Sequence, residues 1–428
     1  MRKIFLSLFL LLLPAAVFAE DLAGLSLEEC LALALMNHPS LTKAKASIKD
    51  ITAQLEALRA NDRWKVTLTG SLNYDGSYQD WDDRQHSESL RLSATKLLYD
   101  NGRTKLQREI RSESLKGARE TERGTQASVA AGAKKAYYDL VLKMLNRDVE
   151  QEKVNNLAEH LVNAEALYDV GNVAFIEVTK AQADLATARV SLLKAENDIL
   201  VSQEALRVAM GTDIAGPFNI LLSTELLLPQ PAEDMDSLIA EALDNRPDYR
   251  KLQHDIKGNE LAITNAARAN SPTVNASLSS SWSNREGGTH TEDYAAGVSV
   301  TVPVVDGGEV KANVASARAQ LESVNADAEA LRQNITYAVR SAALSLSSAT
   351  DRVKSSSASV KYAEENLELA KGRYEVGVGE PLELSDAVST LASARYTYYQ
   401  ALYDAQTARA DLDEALGRLP PELNAGSN

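Results

Sequence analysis

The chain has one cysteine, Cys30, among its 428 residues. A single cysteine permits neither an internal disulfide nor a cysteine-based metal site. Aromatic residues are also scarce, at 5 %, which argues against thick globular cores and for long helices packed through small residues. Prolines are few and uneven: none falls between Pro39 and Pro217, or between Pro303 and Pro381. Proline breaks helix interiors, so long helices fit in those gaps. The five histidines (His38, His86, His160, His254 and His290) are scattered without metal-ligand spacing. No Gly-x-Ser-x-Gly or phosphate-binding loop is present either. No cofactor, metal or catalysis is therefore expected. Positive charge is in deficit, with 45 Lys and Arg against 60 Asp and Glu, a net charge of −15. That balance argues against nucleic acid as a partner.

Beyond the first nineteen residues no apolar run approaches the roughly twenty needed for a membrane-spanning helix. The start itself, Arg2-Lys3 followed by the apolar run Ile4 to Leu13 and by Val17-Phe18-Ala19, reads as a secretory signal peptide over 1–19. Cys30 lies eleven residues beyond the expected cut, so it is not a lipid attachment site; a buried helical position suits it.

What the sequence does contain is a repeat. The stretch Tyr168 to Arg189 superposes on Tyr374 to Arg395 at an offset of 206 (374 − 168), with nine of twenty-two positions identical. The shared residues include Tyr168/Tyr374, Val170/Val376, Gly171/Gly377 and Glu177/Glu383. Each copy reads as a glycine turn between two long helices. The duplication is general. Ala34-Leu-Met-Asn-His-Pro39 returns as Ala242-Leu-Asp-Asn-Arg-Pro247, and Tyr99-Asp-Asn-Gly102 as Val305-Asp-Gly-Gly308. The resulting division is a first repeat over 20–211, a linker over 212–236, a second repeat over 237–417 and a tail over 418–428.

Each repeat holds two kinds of pattern. Alternating residues such as Val66, Leu68, Leu72, Tyr74 against Thr67, Thr69, Ser71, Asn73 predict one hairpin per repeat, within about 65–99 and 273–304. The strands are expected to be about ten residues long, joined by polar linkers over Asp75–His86 and Asn284–Asp293. After each acidic-glycine turn comes a proline-free stretch of about sixty-six residues, about 100 Å long as helix. Apolar spacings of 3 and 4, as in Val154, Leu157, Leu161, Ala164, Tyr168, predict left-handed coiled-coil packing on both sides of each turn.

The fold class is therefore α+β, internally duplicated, with four strands and two long coiled-coil hairpins. Four strands cannot close a barrel, and open edges are not tolerated in lipid. Two copies would supply eight strands and three would supply twelve with an open pore; spacing alone does not choose. A periplasmic adaptor with coiled-coil hairpins is the alternative, but such proteins usually carry one hairpin, and it does not account for four barrel-like strands.

Taken together, the duplicated helix–hairpin–helix, the Asp-x-Gly turns and the paired Tyr-x-Val-Gly motifs resemble the TolC-type outer membrane factor family, over about residues 20–417. The resemblance implies a homotrimer: a twelve-strand transmembrane β-barrel in outer membrane lipid, continued into the periplasm as an α-helical coiled-coil barrel. It implies work as the channel of an efflux or type I secretion system, with a periplasmic adaptor and an inner-membrane pump of the RND, ABC or another class. It places an acidic ring at Glu383 and Asp386 and a latching contact between Tyr374 and Glu177. The family's second latching residue is an arginine; Gly379 stands in its place here, so that ionic contact is expected to be missing. Adaptor docking is implied at the turns Val170-Gly171-Asn172 and Val376-Gly377-Val378.

Overall fold

The computed structural model describes residues 24–77, 80–213, 218–221, 234–285, 288, 290–376 and 378–418. The expected signal peptide, Gly377 and nearly all of the C-terminal tail lie outside the described residues. Two copies of one pattern follow each other: α1 (Leu27–Asn37), α2 (Pro39–Ala60), β1 (Lys65–Ser77), β2 (Asp80–Tyr99), α3 (Arg103–Asp169) and α4 (Phe175–Met210), then α5 (Met235–Asn245), α6 (Pro247–Ala267), β3 (Thr273–Arg285), β4 (Thr291–Thr301), α7 (Glu309–Glu375) and α8 (Pro381–Ala415).

Local chemistry sets the element boundaries. Ser26 opens α1 with a capping box: its hydroxyl accepts from the Glu29 N–H at 3.2 Å, and the Glu29 carboxylate accepts from the Ser26 N–H at 2.8 Å. Pro39 and Pro247 stand at the first positions of α2 and α6, where a missing N–H costs nothing. The 67-residue helices α3 and α7 start from the acidic-glycine turns. Asp100 accepts from the N–H groups of Gly102 (3.0 Å) and Thr104 (2.7 Å). Asp306 does the same for Gly308 (3.0 Å) and Val310 (3.1 Å). One carboxylate thus joins a strand end to a helix start in each repeat, satisfying N–H groups that would otherwise be orphaned.

The two repeats meet in one four-stranded antiparallel sheet, β1-β2-β3-β4. Its strands are longer than the pattern predicted: β1 and β2 run 13 and 20 residues. The polar linker expected over Asp75–His86 is largely ladder, with Tyr74 opposite His86 and Ser77 opposite Asp80. Polar residues hide a strand from a reading based on alternation, yet their backbones pair once the hairpin register is set.

Register sorts the sheet into two faces. One carries Val66, Leu68, Leu72, Leu90, Leu92, Leu278, Trp282, Tyr294, Val298 and Val300, all exposed in the single chain. The other carries Thr67, Thr69, Ser71, Ser89, Ser93, Thr95, Asn275, Ser277, Ser279, Ser281, Ser283 and Ser299. On it Ser71 and Ser89 share a hydrogen bond of 2.7 Å, and so do Ser283 and Thr291 at 2.8 Å. Leu72 and Tyr294 expose 73 % and 77 % of their surfaces, which in water would be a continuous apolar patch and in lipid is the required outer wall. Both outer strands, β1 and β4, have a free edge.

Beneath the sheet the helices pack as α2–α3–α6–α7, and lower down as α4–α3–α8–α7. Their cores are built of Ala, Leu and Val. Halfway along, α1 seals α3 and α4 through Cys30, Tyr137, Leu140, Leu206 and Met210; α5 seals α7 and α8 through Leu238, Ala242, Ile335, Val339 and Leu412. The helix-ending glycines confirm the duplication in space. Gly211 (φ +64°) and Gly417 (φ +67°) lie so close to His38 and Arg246 that a Cβ would come within 2.7 Å and 2.9 Å of those residues' Cα atoms. Among the described residues no helix is long and apolar enough to cross a membrane.

Candidate functional site at the helical tip

At the end remote from the sheet, α3 and α7 turn back as α4 and α8. In the first turn, Gly171 takes φ +77°, and the N–H groups of Gly171 and Asn172 reach the carbonyls of Tyr168 and Leu167, each at 2.9 Å. Such a reversal needs a residue free to enter the left-handed region. Tyr168 stacks against Phe175 across the turn, ring centroids 5.4 Å apart, while Val170 stays exposed. In the second turn the N–H groups of Val378 and Gly379 both donate to the Arg373 carbonyl, at 3.0 and 2.9 Å. Val376 and Val378 face outward.

Tyr374 closes α7 and is buried in a four-helix cluster with Leu157, Leu185, Ala370, Leu384 and Leu391. Its ring meets His160 of α3 edge-on, centroids 5.3 Å apart. The Tyr374 hydroxyl and the His160 Nδ1 are both buried without a hydrogen-bond partner. Burial pushes the phenol above its ordinary value, and the negative charge of Glu177, in the first turn of α4, pushes the same way. Glu177 therefore stands near Tyr374 but accepts no bond from it within the protomer. Burial also drives the His160 imidazole down, against the pull of Asp184 and Glu177; Lys180 adds to the lowering.

The second turn leaves no space for a side chain at Gly379. A Cβ there would sit 2.8 Å from the Tyr374 nitrogen and 3.0 Å from the Arg373 carbonyl carbon, closer than such atoms approach. Beside it Arg373 places its Nε 3.3 Å from Glu383. Glu383 and Asp386 are both exposed in the first turns of α8 and point away from its buried stripe of Leu384, Ala387 and Val388.

Two contacts at the tip escaped the sequence pattern. Lys371 donates to Asn156 at 2.8 Å, and Ser385 to Asp184 at 3.2 Å; both tie one repeat's hairpin to the other's. Nothing in a single sequence pairs residues more than 200 positions apart. His160 did leave a sign, since it interrupts the stripe Leu157, Leu161, Ala164.

The family model for outer membrane efflux proteins matches residues 30–212 and again 238–418. The chain belongs to the outer membrane efflux protein family. The "Probable efflux pump outer membrane protein TtgC" of Pseudomonas putida is 23 % identical over 405 residues, covering 92 % of this chain and 83 % of the relative. The "Outer membrane protein TolC" of Vibrio cholerae is 22 % identical over 442 residues, covering 99 % and 97 %. Among solved structures, a crystal structure of CusC superposes with a TM-score of 0.77 at 19 % identity, covering 92 % of each chain. This family of channel proteins resides in the outer membrane and extends into the periplasm. The apolar sheet face then meets lipid, and the hydroxyl-rich face lines the pore.

Proposed function

We propose that this efflux protein assembles as a homotrimer and forms the outer membrane duct of a tripartite efflux or type I secretion system. The periplasmic tip opens on docking with an adaptor and an inner-membrane pump. The observation that carries this reading is the incomplete sheet: an apolar face and two free edges, joined through Asp100 and Asp306 to helices about 100 Å long. Three copies close a ring of twelve strands, wide enough for an open lumen, where two copies would fill theirs with side chains. The fold shared with CusC and the family membership support the same assembly.

At the tip, Glu383 and Asp386 of three chains bring six carboxylates round one opening. Two such charges about 8 Å apart repel by roughly 0.5 kcal/mol in water and by about 2 kcal/mol at an effective dielectric of 20. Neighbouring Arg373 offsets part of that repulsion, and mobile cations offset more. Tyr374 and Glu177 hold the tip closed, and the turns at Val170-Gly171-Asn172 and Val376-Gly377-Val378 receive the adaptor.

The docking role is tested at Gly171. No neighbour stands within 4 Å of a Cβ there, so the obstacle to substitution is the positive φ alone. Gly171→Val forces a β-branched residue into that region, whereas Gly171→Asn tolerates it. Cells carrying Gly171→Val are expected to form trimers but lose efflux of a fluorescent substrate, and Gly171→Asn to retain it. Full efflux with Val at 171, or at 377, rules out the docking role.

A further inference from the structure

The middle of the lumen face is nearly uncharged. Lys65 and Arg285 bound it, and between their two rows every lumen-facing residue is Ser, Thr or Ala save two. Those two are Arg91 on β2 and Asp293 on β4. Register puts them in one cross-strand row: Thr69 opposite Arg91, Arg91 opposite Ser281, and Ser281 opposite Asp293. Both are exposed in the single chain. Two strand spacings separate them, about 10 Å between backbones, with only the short Ser281 between.

We propose that Arg91 and Asp293 form a charge-balanced belt that keeps the exit pore open to ions of either sign. The proposal rests on the trimeric duct described above. In a twelve-strand ring, with backbones about 24 Å across, three Arg91 and three Asp293 make a belt of zero net charge. The rows directly above and below it are Ser, Thr and Ala and add no charge; Lys65 and Arg285 stand one row further out on either side. The belt therefore decides which ionised cargo meets a barrier at the outer membrane, and in its balanced form it turns away neither sign. That differs in kind from the acidic periplasmic tip, which favours cations. The cargo class that suits both ends carries positive charge or both charges, and solutes with several negative charges are disfavoured at the tip alone.

Each charge can be removed separately. Arg91→Gln leaves a belt of three negative charges, and Asp293→Asn leaves one of three positive charges. A lumen this wide is only partly screened at physiological salt, where the screening length is about 8 Å. In planar bilayers with a potassium chloride gradient, Arg91→Gln is expected to raise the K⁺/Cl⁻ permeability ratio about twofold, and Asp293→Asn to lower it about twofold. The double variant Arg91→Gln/Asp293→Asn returns to the parent ratio, an outcome that a merely structural role would not produce. Trimers that resist dissociation in detergent show that each variant is folded. As a second readout, benzene-1,3,5-tricarboxylate added on the extracellular side blocks Asp293→Asn but not the parent, and it meets the belt before the tip. Conducting, folded trimers whose permeability ratio and block match the parent in both single variants overturn the belt. Absence of any conductance in the parent protein overturns the channel reading instead, so the two failures are distinct.

Discussion

Replacing Gly379 by alanine separates the geometry of the second turn from its charge. The added Cβ meets backbone atoms, 2.8 Å from the Tyr374 nitrogen and 3.0 Å from the Arg373 carbonyl carbon. Neither can swing aside as a side-chain end would, so the start of α8 must move away from the end of α7. Forcing a methyl group into a filled space typically costs about 1–3 kcal/mol. The contacts that hold the tip hairpins together are of similar size. Lys371 to Asn156 and Ser385 to Asp184 contribute about 1 kcal/mol each, and the exposed Arg373–Glu383 pair contributes less than about 1 kcal/mol. A penalty of that size on the closed turn shifts the opening equilibrium about 5- to 140-fold. Gly379→Ala is therefore expected to raise the time-averaged conductance of trimers in planar bilayers, and to admit a bulky antibiotic into cells. Gly372→Ala is the control: no atom stands within 4 Å of its Cβ, and alanine in a helix interior stabilises by about 0.5–1 kcal/mol relative to glycine. Folded Gly379→Ala trimers with parental conductance would refute the steric reasoning.

Other consequences can be checked on the same protein. The double variant Glu383→Ala/Asp386→Ala weakens pore block by multivalent cations added on the periplasmic side; unchanged block would refute an acidic tip. Asp100→Ala, which strips two N–H groups at the start of α3 of their acceptor, costs about 0.5–2 kcal/mol in thermal unfolding. For both Asp100 and Asp306 the carboxyl is held below its ordinary value. At Asp100 burial opposes the shift but hydrogen bonds from Thr104 and Gly102 outweigh it; at Asp306 bonds from Gly308 and Val310 cause it. Their stabilisation is thus complete above the ordinary carboxylate range and fades as pH falls through the folded values; an acid-unfolding midpoint unchanged in Asp100→Ala/Asp306→Ala would contradict it. His160, which faces Tyr374, Glu177, Asp184 and Lys180, is depressed by burial, so below its ordinary value near 6.5 the native tip resists a proton that the unfolded chain accepts. Tip stability, read by limited proteolysis at the turns, should fall between about pH 7 and 5 and become flat over that range in His160→Leu.

Periodicity made the helices legible and left the contacts between them unread. The paired long helices showed in the absence of proline from 40–216 and 304–380, because a single proline would have broken them. The first turn showed in Gly171, because only a few residues enter the left-handed region cheaply. Strand length did not show: Asp82 to His86 are polar throughout, and what keeps them in the ladder is the register set by Leu90 and Leu92 opposite Gly70 and Leu68. At the tip the sequence showed a glycine at 379, but not why no side chain stands there. The cause is the second turn folding back onto the last residues of α7, where the Arg373 carbonyl takes two N–H groups and no space remains for a side chain. The positive charge nearest Glu383 in this turn is at Arg373, six residues before Gly379. Glycine at 379 is thus a steric requirement of the turn, set by backbone atoms that come close only once the chain has folded back on itself.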